Sequence, residues 1–291
     1  MNALFLKSFY KKFFKKAFLI YVFLGVMLKN NSEIFAQSID FQIKNLSGKF
    51  QNFIRVSDTV IIESGSLSQV FLVKFNANFE PAAPPMVIDS KIKPASLNVI
   101  KVNQVPTNQP LMIDEGLYLV QQDTSTGVGI GLKVTPKDFP KYKKINSLID
   151  AMIYISTSGE MGSFLATEDK RVVFDNFWLN LGGNVENAQR MLKLYFQRVK
   201  EANQQFTTYK EGWKTDMGII YIIFGTPDNI IESPESIKWE YFSSPNRPKV
   251  AFDFVKKANI FTGYHYELQR SPLYKDVWYE TVKKWRGGEI K

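Results

Sequence analysis

The sequence predicts a two-domain protein: an N-terminal all-β sandwich over residues 37–140, then an α+β domain over residues 141–291 in which helices precede an antiparallel sheet. Three observations carry this reading. Between residues 40 and 137, short apolar and β-branched runs recur between turns rich in Gly and Pro. Residues 136–144 form a basic, proline-bounded segment where the character of the chain changes. Beyond it, apolar positions recur first at helical and then at strand spacing.

The chain opens with a segment that reads as a targeting signal. Lys7, Lys11, Lys12, Lys15 and Lys16 precede an uninterrupted apolar run at residues 17–28. Those twelve residues are too few to cross a hydrocarbon core of about 30 Å as a helix, but they suit the apolar region of a signal peptide. Ala36 supplies a small residue for cleavage, giving a signal over residues 1–36; an uncleaved N-terminal anchor is the alternative. Either way the rest of the chain is expected to be exported, to the periplasm or cell envelope.

Strands are expected at residues 50–56, 59–63, 70–75, 97–102, 116–120 and 128–134. The runs at 59–63 and 70–74 are nearly continuous in apolar residues, as central strands are. The glycines at 127, 129 and 131 resemble a phosphate loop only superficially, because no helix follows; a glycine-bearing strand or bulge is expected. In the second half, Thr167 with Glu168 and Asp169 reads as a helix start. That helix carries Val173, Phe177, Trp178 and Leu181 and stops at Gly182-Gly183. Asn184 can cap a longer helix with Leu192, Tyr195, Phe196, Val199, Ala202 and Phe206 on one face. Residues 219–224 are the most apolar run after the leader and read as a central, doubly covered strand. Strands are expected at 237–242, 250–255 and 261–268, and a closing helix at 273–285.

Composition excludes much chemistry. The 291 residues include no Cys and one His, so disulfides, thiolate sites and multi-histidine metal centres are ruled out. No metal ligand set, cofactor motif or catalytic residue is assigned. His265, between two tyrosines, reads as a sheet histidine. The net charge of +9 is concentrated at the N-terminus: residues 1–36 hold six Lys and one Glu, leaving 31 basic and 27 acidic residues elsewhere. That mild excess is an ordinary solvated surface, and no nucleic-acid motif accompanies it. Carboxylates such as Asp216 and Asp228 could pair in a cleft only if they lie about 5–10 Å apart, which spacing along the chain does not establish.

The most distinctive stretch is Gly212-Trp213-Lys214-Thr215-Asp216-Met217-Gly218. Thr215 and Asp216 can accept hydrogen bonds from amides just ahead, Gly218 permits a positive φ, and Trp213 can close the end of a core. With Phe177-Trp178, the Tyr195, Arg198-Val199, Ala202-Asn203 and Phe206 positions of the long helix, residues 220–228 and Trp239-x-Tyr241, this loop resembles the GWxTD-domain family of exported proteins, found notably in Bacteroidota. The resemblance covers roughly residue 145 onward and implies export and a β-rich N-terminal partner domain, with no established activity. The family usually carries Arg-Gly after the Asp, whereas Met217-Gly218 stands here. It groups Arg198 and Asn203 with Gly212, Trp213, Thr215, Asp216 and Asp228, and suggests that Arg198 pairs with Asp216.

These readings lead to an expected non-enzymatic binding or assembly module of the cell envelope. Its expected partners are envelope proteins or glycans, with no nucleic acid and no membrane contact beyond the signal. The alternative is a hydrolase or carbohydrate-active protein with a carboxylate site at the loop.

Overall fold

A computed structural model describes residues 39–48, 52–88, 97–244 and 248–290. The expected signal segment, with its apolar run and Ala36, lies outside the described residues. The N-terminal region is all β: β1 (Gln42–Asn45), β2 (Ile54–Arg55), β3 (Val60–Glu63), β4 (Gln69–Phe75), β5 (Val99–Pro106), β6 (Pro110–Leu111), β7 (Gly116–Gln121) and β8 (Ile130–Thr135). They form a three-stranded sheet, β1-β3-β6, and a five-stranded sheet, β2-β8-β7-β4-β5. Only the β2–β8 pair is parallel within these two sheets.

Side-chain alternation explains why the strands of the larger sheet read as continuous apolar runs. Val70 and Leu72 of β4, with Tyr118 and Val120 of β7, face a core shared with Val60 and Ile62 of the smaller sheet. The residues between them, Val73, Phe75, Leu117 and Leu119, face the other side, where Phe261 from the C-terminal part completes a second core. A strand covered on both faces has little room for polar residues. The expected glycine-bearing strand falls at β8, and its Gly131 has a specific reason: a Cβ there would lie 2.0 Å from the Phe261 carbonyl oxygen.

The C-terminal part contains α1 (Ile145–Asp150), α2 (Ser158–Ala166), α3 (Lys170–Gly182), α4 (Val185–Phe206), a 3-10 turn (Gly212–Lys214), α5 (Asp216–Phe224) and α6 (Tyr274–Arg286). An antiparallel sheet, β12-β11-β10-β9, comprises β9 (Asn229–Glu232), β10 (Ser236–Tyr241), β11 (Val250–Lys256) and β12 (Tyr266–Leu268). The whole is mixed α+β. No helix among the described residues is long and apolar enough to cross a membrane.

The main correction concerns residues 219–224, which form the body of α5 instead of a central strand. A short apolar run does not distinguish a buried strand from a buried helix. The local signals that decide are the Thr215 N-cap, whose hydroxyl accepts from the Gly218 amide, and Gly225 at the C-terminus with φ 81°. All nine residues of α5 are buried, so it needs no polar face. Phe224 packs on Phe252 and Trp278, and Tyr221 on Phe206.

Smaller corrections follow local chemistry. Thr167 ends α2, and Asp169 is the cap of α3, accepting from the Val172 amide. Only Tyr266–Leu268 of the strand expected at 261–268 pairs, because Phe261 is drawn aside onto β8. The caps Gly183 and Asn184 and the apolar face of α4 lie where the periodicity puts them. Residues 82–84 run as a strap along the C-terminal part and end in a turn at Pro85, where the Val87 amide donates to Pro84 O. Ala82 donates its amide to Lys214 O, and Ser271 donates its amide to Pro85 O.

Candidate functional site

The family-like loop sits where the end of α4 meets the start of α5. Asn203 is wholly buried on α4; its Nδ2 donates to Pro140 O at 3.1 Å and its Oδ1 accepts from the Trp213 amide at 3.1 Å. Thr207 Oγ1 donates to Asn203 O and accepts from the Gly212 amide. Thr215 Oγ1 donates to Gly212 O at 2.7 Å while capping α5. The chain is thus stitched to itself by a short relay of amides and hydroxyls, each buried polar atom being paired with another.

The two loop glycines are required by closeness. A Cβ on Gly212 would lie 2.0 Å from Ala202 O, and one on Gly218 would lie 1.8 Å from Gly212 O. Gly218 does not have the expected positive φ; it is helical and simply leaves no room for a side chain. Trp213 is 2 % exposed, with its ring edge-on to Tyr154 and the Lys214 ammonium above it. The pKa of the Tyr142 hydroxyl, in the same cluster, is pushed well up, mainly by burial and also by the Glu211 charge, against the pull of Asn203 and Trp213.

Asp216 opens α5 with its side chain 8 % exposed. It does not accept from amides just ahead, and it does not pair with Arg198. Its Oδ2 accepts from the Leu268 amide at 3.0 Å, and the Arg270 guanidinium grips both carboxylate oxygens. Arg270 also donates to Ala83 O at 3.2 Å, which ties the strap to the loop. Arg198 instead serves the opposite end of α5. It donates to Ile222 O and Ile223 O at 3.0 and 3.1 Å and lies over the Trp285 ring, a cation set against the negative end of the helix dipole.

Asp228 lies beyond that same far end, where its Oδ2 accepts from the Phe242 amide at 2.6 Å. A nine-residue helix is roughly 13 Å long, so Asp216 and Asp228 do not form a close carboxylate pair. The structure therefore unites Gly212, Trp213, Thr215, Asp216 and Asn203, and places Arg198 and Asp228 apart from them. Arg270 is the member that sequence reasoning missed. Its one trace was the absence of the usual arginine after Asp216, since a buried carboxylate there still needs a cation.

Beside Trp213, a cleft of about 130 Å³ opens between β8, α1 and the 3-10 turn, lined by Lys133, Tyr142, Asp150, Glu211 and Lys214 among others. Burial alone would raise the Glu211 carboxyl, but Lys133 and Lys214 outweigh it and hold it below the ordinary glutamate range. A larger recess of about 600 Å³ lies at the β1–β3 edge around Asp40, Glu63 and Asn108, and contains none of the loop residues. His265 rests against Tyr209 and pairs with Glu267. Among the described residues, no group of three His, Cys, Asp or Glu could hold a metal ion.

Fold and loop together define a mixed α+β protein built around a buried, hydrogen-bonded helix–loop–helix junction. The sequence model of the GWxTD domain matches residues 116–287, well over half of the chain, beginning in β7. The chain belongs to the GWxTD-domain family. No curated protein and no solved structure matches it.

Proposed function

We propose that this protein is an exported, non-enzymatic binding or assembly module of the bacterial cell envelope, of the kind found in Bacteroidota. Residues 37–140 act as a β-sandwich and 141–291 as the GWxTD module. Its partners are envelope proteins or glycans, it has no nucleic-acid role, and it meets the membrane only through a signal cleaved after Ala36. The observation that carries the non-enzymatic reading is the engagement of Asp216. Both of its carboxylate oxygens are held by Arg270 and the Leu268 amide, so it ties elements together where a general acid or base would need a free oxygen. The sandwich reading is supported by the single core that the two N-terminal sheets share. The export reading rests on the basic, short-apolar leader at residues 1–36.

Two measurements test this. Crosslinking and pull-down from native envelopes should recover envelope proteins or glycans, and recovery of the protein in the cytoplasmic fraction would overturn the reading. Asp216→Asn should lower Tm by roughly 5 °C, because it removes a charged partner from a buried pair. A variant that kept its Tm yet lost a hydrolytic activity on envelope glycans would favour the hydrolase alternative.

A further inference from the structure

Strands β4 and β5 are antiparallel neighbours in one sheet, a pair that about two to five residues can join. Residues 76–98 join them instead, although the Asn76 amide donates to Asn98 O at 2.9 Å and already closes the base of the connection. The extra length carries residues 79–86, the strap among them, onto the C-terminal part beside the family loop. Connections of this length inside a compact protein commonly have a function of their own.

The C-terminal part receives the segment by its main chain. Lys210 Nζ donates to Glu80 O at 3.3 Å, the Tyr154 hydroxyl to Ala82 O at 3.0 Å, Arg270 Nη2 to Ala83 O at 3.2 Å and the Ser271 amide to Pro85 O at 3.1 Å. The Ala82 amide donates in return to Lys214 O at 2.9 Å. None of these bonds involves a side chain of the segment. Its apolar contacts are few: Phe79 stands edge-on to Tyr209 with ring centroids 4.7 Å apart, and Ala82 and Met86 pack against the C-terminal core. Donors aimed at the carbonyls of residues 80–85, with an aromatic anchor at one end, suit an extended backbone. Pro81, Pro84 and Pro85 supply that extension before docking. Each ring fixes its own φ and disfavours the helical region for the residue ahead of it, Glu80, Ala83 and Pro84 respectively. So stiff a segment loses little chain entropy when it is laid down, which is why proline-rich stretches recur as ligands of aromatic-lined grooves. The attachment is also local. Pro85 is buried, whereas the other residues from 79 to 86 are half-buried or exposed. Releasing them breaks the contacts just given and leaves the sheets and helices paired, and such segments open at a fraction of the global unfolding free energy.

We propose that the face beneath residues 79–86 is a peptide-docking groove, held by the protein's own strap until a stiff, proline- and alanine-rich segment of a partner protein displaces it. The proposal rests on the envelope-binding reading above and gives it a partner class.

The probe is the acetylated, amidated peptide of residues 79–86, and its control carries Pro81→Gly, Pro84→Gly and Pro85→Gly. Both are titrated by calorimetry into the full chain and into a full-length variant in which a Gly-Ser run of equal length replaces residues 80–85. The variant should bind the proline peptide at least about tenfold more tightly than the intact chain does, because the tethered competitor is gone. It should prefer the proline peptide to the glycine peptide by about tenfold as well. Adding Tyr154→Phe, which keeps the ring and removes the donor to Ala82 O, should weaken binding roughly fivefold. Hydrogen exchange of the Ala82 amide in the intact chain decides the matter even where the variant fails to fold. That amide should exchange about a hundredfold or more faster than the amides of β4, and faster still with the proline peptide present. Equal binding of the two peptides, no binding by the folded variant up to about 5 mM, or an Ala82 amide as protected as those of β4 would overturn the proposal. Capture from native envelopes separates the two readings. Partners that excess proline peptide does not compete away would overturn the groove's role and leave the assembly reading standing; peptide binding with no partner recovered would keep the groove and sink the assembly reading.

Discussion

Replacing Arg270 would leave the Asp216 carboxylate buried with the Leu268 amide as its remaining described donor. Breaking such a pair from one side typically costs about 3–5 kcal/mol, and the 20 % exposure of Arg270 places this case toward the lower end. A double-mutant cycle on Asp216→Ala and Arg270→Ala should show a coupling of about 2 kcal/mol or more by denaturant unfolding, whereas Asp216→Ala with Arg198→Ala should be additive. Coupling to Arg198 and not to Arg270 would contradict the geometry. At this scale the sequence was informative wherever chemistry is local. The hydrogen bond to the Thr215 hydroxyl from an amide just ahead was legible, although the run it precedes was read as a strand and not as the helix it caps, and the loop glycines stood out, although Gly218 serves closeness and not a left-handed backbone. The missing arginine after Asp216 pointed to a substitute cation, but not to Arg270, because the two lie 54 residues apart and no periodicity connects them.

Short helices and strands exchange easily when only an apolar run defines them, and α5 is the instance here. Its isoleucines favour strand on propensity, yet burial on every side and caps at both ends favour helix, and tertiary packing overrides a weak propensity. Elements with two-sided signals were legible: α3 and α4 show both periodicity and caps, and β10 and β11 alternate. Helix α2 was hidden because its glycines and short apolar face give little moment, although its Thr157–Glu160 capping box is complete. Glu160 also receives both terminal nitrogens of Arg286, at 2.9 and 2.8 Å, bracing α2 against α6. Burial would raise the Glu160 carboxyl, but hydrogen bonds from Arg286 and Thr157 outweigh it and hold it below the usual 4.5. A depressed folded-state pKa contributes stability above the unfolded value, and that stability is lost as pH falls through the folded one. Glu160→Gln should therefore cost about 1 kcal/mol at pH 7, a solvent-screened figure, and progressively less below about pH 4.5. A Tm difference that stayed constant down to pH 3 would rule this out.

Across the whole molecule, the two halves meet through main chain as well as side chains. Phe261 presses its backbone onto Gly131 and its ring onto Phe75, and the strap at residues 82–84 lies along the loop and Arg270. Gly131→Val should lower Tm in a thermal melt, since its Cβ would lie 2.0 Å from the Phe261 carbonyl oxygen and the backbone there would have to shift. Phe261→Ala should cost about 3 kcal/mol and lower the unfolding midpoint monitored in the β region and in the helices together. Separate midpoints, with only the helical signal shifted, would show that the second core does not couple the halves. The change of character near residues 136–144 was legible because composition changes there. The return of Phe261 was not, because an isolated aromatic in an irregular segment carries no mark of its destination.

The same crossing has a consequence for the order in which the chain is made. Strands β4 and β7 are synthesised long before residue 261, so one face of the larger sheet lacks its closing aromatic while the helices are still being added. At ordinary elongation rates that interval lasts on the order of ten seconds or more. During it, Val73, Phe75, Leu117 and Leu119 form an apolar surface without its final cover. The second core can close only once residue 261, about nine-tenths of the way along the 291 residues, has been made.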